Sequence, residues 1–336
     1  MKSHLISISD IARNLGISAS TVSRALKDSP SISAKTKRRV LEMAQQSGYR
    51  PNILAMSLRK QSSRTIGLII PEIAHHFFSS VISGIEELAY ASGYRVMICQ
   101  SNEDQSREEL NLTALLDHRV DGVLVSVSKN TLGFDHFKTV IEQGVPIVFF
   151  DRISQELATD RVVTNDYEGA RAITSHLIEK GHRNILHLAA PRYLLVGKER
   201  LRGYEQALYE NHIDRHIDFV LQCDTREQVR ALQDEILKLA PRIDAIFAVN
   251  DFTAIAAMQL LQANGYAIPA DIAIAGFGDD PIASIVTPRL TTVEQKGYEM
   301  GRESVQLLIQ RIENPDKEIQ PRTRIFESTV KARESS

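Results

Sequence analysis

The sequence predicts an all-α helix-turn-helix head followed by an α/β two-lobed body with doubly wound parallel sheets. Three observations carry this. Two short apolar-striped segments near the N-terminus are separated by a glycine turn. The sign of the charge divides by segment: residues 1–60 hold 11 Lys and Arg against 3 Asp and Glu, a formal +8, and residues 61–336 hold 29 against 39, a formal −10. From residue 65 onward, short runs rich in Ile and Val alternate in two series with helix-length amphipathic stretches. A chain of 336 residues exceeds one small core and suggests two or three domains. The expected division is a head at 1–60, with a hinge helix at about 52–60, and a body at 61–336. Within the body, lobe one is expected at about 61–162 and 293–322, and lobe two at about 163–292 and 323–333.

The first element is a helix in which Ile8, Ile11, Ala12 and Leu15 form one stripe. Ser7, three residues before Asp10, supplies a cap and an acid at the positive helix end. Gly16 stops this helix and Ser18 caps the next, 20–27. There Val22, Ala25 and Leu26 face inward, leaving Ala19, Ser20, Thr21, Ser23 and Arg24 outside. A small, hydroxyl-rich face with one arginine fits deep in a major groove, Thr21 and Ser23 donating to phosphates and Arg24 reaching a guanine edge. Many helix pairs of this kind bind nothing, but a basic head on an acidic body is the mark of a polyanion-binding module.

The third helix, 33–47, closes the head through Val40, Met43 and Ala44 and carries Lys35, Lys37, Arg38 and Arg39 in its first turns. Cations there oppose the helix dipole, which points to a phosphate partner. Pro51 can open a short helix with Leu54, Ala55 and Leu58 on one side, before a connector at 61–64. One such helix is marginal alone. It could order when two copies meet on DNA, or be a plain linker.

Continuous apolar runs suit parallel strands covered on both faces. They fall at 66–70, 96–99, 123–127 and 147–150, then at 185–189, 219–221, 245–249 and 272–277; the amphipathic stretch 295–312 returns to the first lobe. Two cysteines, Cys99 and Cys223, imply neither a disulfide framework nor a metal cage. An export signal and a membrane-spanning run are not evident, so a cytoplasmic protein without a membrane partner is expected.

Two doubly wound lobes bind small molecules in the crevice outside the carboxyl ends of their strands. Phe77, Phe78, Ser126, Asp151, Arg200, Asn250, Asp251, Asp279 and Gln295 stand after strands or at the return crossing. Taken singly, each reads as a turn or cap residue. Together, ring faces, carboxylates, an amide and a guanidinium suit a hydroxyl-rich ligand such as a sugar, and Arg192 and Lys198 leave room for a sugar phosphate.

Asp10-Ile11-Ala12, Gly16-Ile17-Ser18, Thr21-Val22-Ser23-Arg24-Ala25-Leu26, Gly48-Tyr49-Arg50-Pro51-Asn52 and Ser57-Leu58-Arg59 resemble the N-terminal signature of LacI/GalR-family transcriptional regulators. The similarity continues in order through Thr65-Ile66-Gly67-Leu68-Ile69-Ile70-Pro71, Arg119-Val120-Asp121-Gly122, His176-Leu177-Ile178, Gly181-His182-Arg183 and Leu290-Thr291-Thr292-Val293. It implies a periplasmic-binding-protein-like body that binds effector and dimerises. A homodimer would place two recognition helices on near-palindromic, double-stranded operator DNA, usually to repress genes of carbohydrate metabolism. In the hinge, Asn52, Ala55, Leu58 and Arg59 would contact DNA, Leu58 as a minor-groove wedge. Phe77, Phe78, Ser126, Asp151, Arg200, Asn250 and Gln295 fall where relatives contact effectors. One departure is Gly278, where relatives usually carry an acid, with Asp279 next.

Other readings have less support. A transport-type sugar-binding module needs an export signal and has no use for a basic head. Control by a protein corepressor remains open. For an enzyme, the sequence offers no phosphate loop, dinucleotide loop, nucleophile elbow or metal-ligand cluster: His212 and His216 lack an adjacent Glu, and His75-His76 lack further ligands. No catalytic residue, cofactor or metal is expected.

Overall fold

The computed structural model describes residues 6–49, 62–214, 216–315 and 320–336. The chain divides into two compact units, 1–63 and 64–336.

In the first unit, α1 (Ile8–Leu15), α2 (Ala19–Leu26) and α3 (Ala34–Gln46) enclose Ile11, Ala12, Val22, Ala25, Val40 and Ala44. Ser7 and Asp10 form a reciprocal capping box on α1. Ser18 and Ser33 cap α2 and α3, each accepting the N–H three residues on. Gly16 ends α1 at φ +65°, a backbone that side chains disfavour, and this turn aims α2 across α1.

The second unit holds two parallel sheets. The first contains β1 (Thr65–Ile70), β2 (Arg95–Gln100), β3 (Gly122–Val125), β4 (Ile147–Phe150), β5 (Asp160–Thr164) and β11 (Thr323–Phe326), in the order β11-β5-β4-β3-β1-β2. One face packs on α4 (His76–Ala91) and α12 (Gly297–Glu313), the other on α5 (Gln105–Asp117) and α6 (Asp135–Glu142). The second sheet, in the order β7-β6-β8-β9, contains β6 (Ile185–Ala189), β7 (Val220–Gln222), β8 (Ala245–Ala248) and β9 (Ala273–Ala275). Helices α7 (Asp166–Glu179) and α8 (Leu195–Glu210) cover one face. The short α9 (Arg226–Ala231) and α10 (Gln233–Leu239), with α11 (Asp251–Ala263), cover the other. Burial on both faces is why β1, β3, β4, β6 and β8 read as unbroken apolar runs.

In each lobe a glycine lets two helices on the same face touch. A methyl on Gly84 would strike the Tyr298 carbonyl, and one on Gly301 the Val81 carbonyl, where α4 and α12 cross. Gly203 on α8 sits in the same way against the Tyr167 carbonyl of α7.

The chain crosses between lobes three times: from β5 into α7, from β10 (Thr292–Glu294) into α12, and from β11 to β12 (Thr329–Lys331). Strands β10 and β12 pair antiparallel. This corrects the expected lobe boundary, because residues 323–326 pair with Arg161–Thr164 in the first sheet and belong to lobe one. The cause is exposure: Thr323-Arg324-Ile325-Phe326 is an edge strand without the apolar run of a covered one. Behind it, the buried Asp160 carboxylate receives Arg311 Nε and NH2 at 2.8 Å and the Arg322 N–H at 2.7 Å, tying α12 to β5. Cys99 lies on edge strand β2, and Cys223 is buried just after β7. Burial, then the charge of Asp224, pushes the Cys223 thiol up to about 12. Among the described residues no helix is long and apolar enough to cross a membrane.

Candidate functional site

On the head, Ala19, Ser20 and Arg24 are exposed, and Thr21 and Ser23 partly so. The Ser18 hydroxyl accepts the Thr21 N–H at 3.1 Å and shares hydrogen bonds with the Ser20 and Thr21 hydroxyls at 2.8 Å. The N-terminal face of α2 is thus a continuous set of hydroxyls held in place before any partner arrives. Arg24 makes one long contact, Nε to the Ser20 carbonyl at 3.4 Å, and no described carboxylate pairs with it. Lys37 is committed elsewhere: its Nζ holds Asp28 Oδ1 at 2.7 Å and the Asp28 carbonyl at 3.2 Å, bracing the turn after α2. Arg38 pairs with Glu42. Of the basic cluster on α3, Lys35 and Arg39 stay exposed with no acidic partner among the described residues. The hinge candidates Asn52, Ala55, Leu58 and Arg59 lie outside the described residues.

In the body, the strand-end candidates form two linked polar groups along the cleft between the lobes. The first is centred on Arg200, buried on α8. Its Nε and NH2 hold Asp166 Oδ1 at 2.8 and 2.7 Å, its NH1 donates to the Val249 carbonyl at 2.6 Å, and its guanidinium lies 3.7 Å over the Phe277 ring. Asp151, after β4, has φ +57° and is buried beside this group. Burial, opposed by the charges of Arg152 and Arg200 and reinforced by those of Asp166 and Glu103, raises its carboxyl to about 6. No described group donates a hydrogen bond to that carboxylate. Ser126, at the end of β3, is fully buried and its hydroxyl is unpartnered among the described residues.

The second group joins the lobes. Arg152 NH1 donates to both Glu103 oxygens at 2.7 Å. Glu103 also accepts the Lys129 N–H at 2.7 Å. Burial alone would raise Glu103, but the charge and hydrogen bonds of Arg152 outweigh it and leave its carboxyl below the usual range. Lys129 Nζ then reaches Asp224 Oδ2 of the second lobe at 3.3 Å. Asn250 Nδ2 donates to the Asp224 carbonyl at 2.8 Å while its Oδ1 caps α11 through the Thr253 N–H at 2.9 Å.

Beside these, the buried Asp251 accepts the Thr292 hydroxyl and the Asp280 N–H. Burial, opposed by those two bonds and reinforced by the nearby charges of Asp279 and Asp280, raises its carboxyl to about 7. A methyl on Gly276 would strike Asp251 Oδ1. Gly278, at φ +135°, lies against the same carboxylate, so an acid in its place would meet both strain and like charge. Asp279 does not stand free for a ligand, since its Oδ1 pairs with Arg333 NH2 at 2.6 Å. Phe78 is buried under Arg152, while Phe77 and Gln295 line a recess of about 180 Å³ with His76, Ser80 and Lys296. His75 packs edge-on against Phe252 of the facing lobe.

Sequence reading missed Glu103, Lys129, Arg152, Asp166 and Asp224. Arg152, Asp166 and Asp224 sit within two residues of a strand end, so the same rule carried slightly further reaches them. Among the described residues no group of His, Cys, Asp and Glu could hold a metal ion.

Residues 63–333 match the family described as periplasmic binding proteins and sugar binding domain of LacI family, and residues 7–52 match bacterial regulatory proteins, lacI family. The chain is 30% identical over 328 residues to the HTH-type transcriptional repressor PurR of Aliivibrio fischeri (strain MJ11), covering 96% of this chain and 95% of that protein. It is 33% identical over 316 residues to the ribose operon repressor of Halalkalibacterium halodurans, covering 92% and 91%. Among solved structures, a transcriptional regulator CelR–cellobiose complex superposes with a TM-score of 0.75 at 29% identity, over 98% of this chain and 100% of that one. A LacI transcriptional regulator from Alkaliphilus metalliredigens QYMF complexed with D-xylulofuranose gives 0.71 at 28%, over 81% and 99%. The lac repressor dimer bound to operator gives 0.85 at 24% identity over 99% of each chain, a likeness of fold.

Proposed function

The chain belongs to the LacI family of bacterial regulatory proteins, and we infer from this that it is a DNA-binding transcriptional regulator rather than an enzyme. We propose that it acts in the cytoplasm as a homodimeric repressor of carbohydrate-metabolism genes, governed by a sugar-class effector between its lobes. The observation that carries this reading is the head: a hydroxyl-rich α2 face with an Arg24 with which no described carboxylate pairs, on a segment of formal charge +8 attached to a body of −10. Ala19, Ser20, Thr21, Ser23 and Arg24 would enter successive major grooves from two subunits, Arg24 reading a base and the hydroxyls positioning on phosphates. Asn52, Ala55, Leu58 and Arg59 would meet at the operator centre, Leu58 opening a base step at a cost of about a few kcal/mol.

The cleft fits the effector half of the reading because its candidate contact residues belong to both lobes. Asp151, Ser126, Phe77 and Phe78 come from the first, and Arg200, Asn250 and Asp251 from the second, with Gln295 at a crossing. A ligand held by both lobes favours one lobe angle over another. That preference couples to DNA binding by on the order of 1–3 kcal/mol.

The test is anisotropy titration of inverted-repeat duplexes against random sequence at stepped salt. Selective binding with a steep log–log salt slope, near −0.9 per phosphate contacted, is expected. Equal affinity for every duplex would refute the reading.

A further inference from the structure

We propose that the cleft selects an unphosphorylated, hydrogen-bond-donating polyol and that Asp224 is one of the side chains that reads it. This rests on the cleft being the effector site. The cations that enter the polar network are already matched to acids: Arg200 to Asp166, Arg152 to both oxygens of Glu103, Lys129 to Asp224, and Arg333 to Asp279. A phosphate, carrying about −1.5 to −2 charges, would have to compete with these acids for the cations. It would also approach Asp151 and Asp251, two buried acids that bring it no positive charge. Arg192, just before α8, and Lys198, in its first turn, are exposed outside this network, and Lys296 shares its recess with Asp279, Glu294 and Glu299.

Among what the network leaves open are buried acceptors. Asp224 Oδ2 faces Lys129, but its Oδ1 is buried and receives nothing from the described residues. The Ser126 hydroxyl is fully buried and equally unpartnered among the described residues. Unmet buried acceptors are uncommon, and each wants a donor. Sugar hydroxyls supply donors without adding negative charge. Asp224 also stands on the second lobe with its other oxygen tied to the first, so a hydroxyl on Oδ1 would bind at the point where the lobes are joined.

The full-length protein is tested by thermal shift and calorimetry with D-ribose, D-xylulose and cellobiose, each beside its terminal phosphate ester. At least one parent sugar is expected to bind and its phosphate to give no response. Asp224→Asn should weaken that sugar roughly 10- to 100-fold, the scale of a hydrogen bond to a charged group. Lys129→Met, which leaves Oδ1 in place, should weaken it less. A deoxy sugar lacking the hydroxyl read by Asp224 should lose the difference between wild type and Asp224→Asn, a readout that a merely structural role would not move. A phosphate binding as well as its parent, a flat response to the whole panel, or wild-type affinity in Asp224→Asn overturns the proposal. Selective duplex binding, measured in parallel, separates the two failures: if it persists, only the cleft proposal falls, and if it is lost as well, the regulator reading falls too.

Discussion

Asp166→Ala tests whether the floor of the cleft is held by the buried Arg200 group. The carboxylate and the guanidinium are each 8% exposed as side chains, so solvent screens them little. Removing Asp166 strips two hydrogen bonds, at 2.8 and 2.7 Å, and leaves a cation whose remaining contacts are the Val249 carbonyl and the Phe277 ring. Breaking a buried pair from one side costs about 3–5 kcal/mol, while replacing both partners by apolar groups of like volume is often near neutral. Asp166→Ala should therefore lower the melting temperature of the body by on the order of 10 °C. Arg200→Met in the same chain should restore most of that loss, since a thioether packs well on Phe277. Thermal unfolding of the wild type, both single variants and the double variant closes the cycle. A cost below about 1 kcal/mol for Asp166→Ala, or simple additivity in the double variant, would refute a structural role for the Arg200–Asp166 pair.

Gly301→Ala, which drives a methyl into the Val81 carbonyl at the α4–α12 crossing, should destabilise the body by about 1–3 kcal/mol in urea unfolding. Arg24→Ala should relax base preference at one position of each half-site by about 1–3 kcal/mol, read by competition among single-base operator variants; uniform weakening would contradict base reading. Asp151→Asn should alter stability against pH. Because burial raises the native carboxyl from 3.8 to about 6, the native state holds this proton longer than the unfolded chain, and wild-type stability drops as pH rises between those values. The asparagine variant should lack that decline, and an unchanged pH profile from denaturant titrations would count against a raised Asp151.

The strands covered on both faces were legible because burial forces an unbroken apolar run, as at Ile66–Ile70 within β1 and Ala245–Ala248. Strands β5, β11 and β12 were not, because half-exposed or edge strands carry Asp, Arg and Thr. The cleft shows the same division. Position after a strand marked Asp151, Ser126 and Arg200 as candidates. What each side chain does there depends on partners far away in sequence, such as Arg333 for Asp279 or Asp224 for Asn250. The commitment of Lys37 to Asp28 also needed coordinates, since nine residues of spacing suggest no contact.

The three passages of chain between lobes limit how the body can move. A single tether would let one lobe swivel about any direction, and two would leave a twist about the line joining them. A third restrains the twist further wherever it lies off that line, and bending is then the softest coordinate. Work done by a ligand on the cleft is then funnelled into one angle instead of dissipating among many. That is the mechanical requirement for a small molecule to be felt at the end of the first lobe away from the cleft.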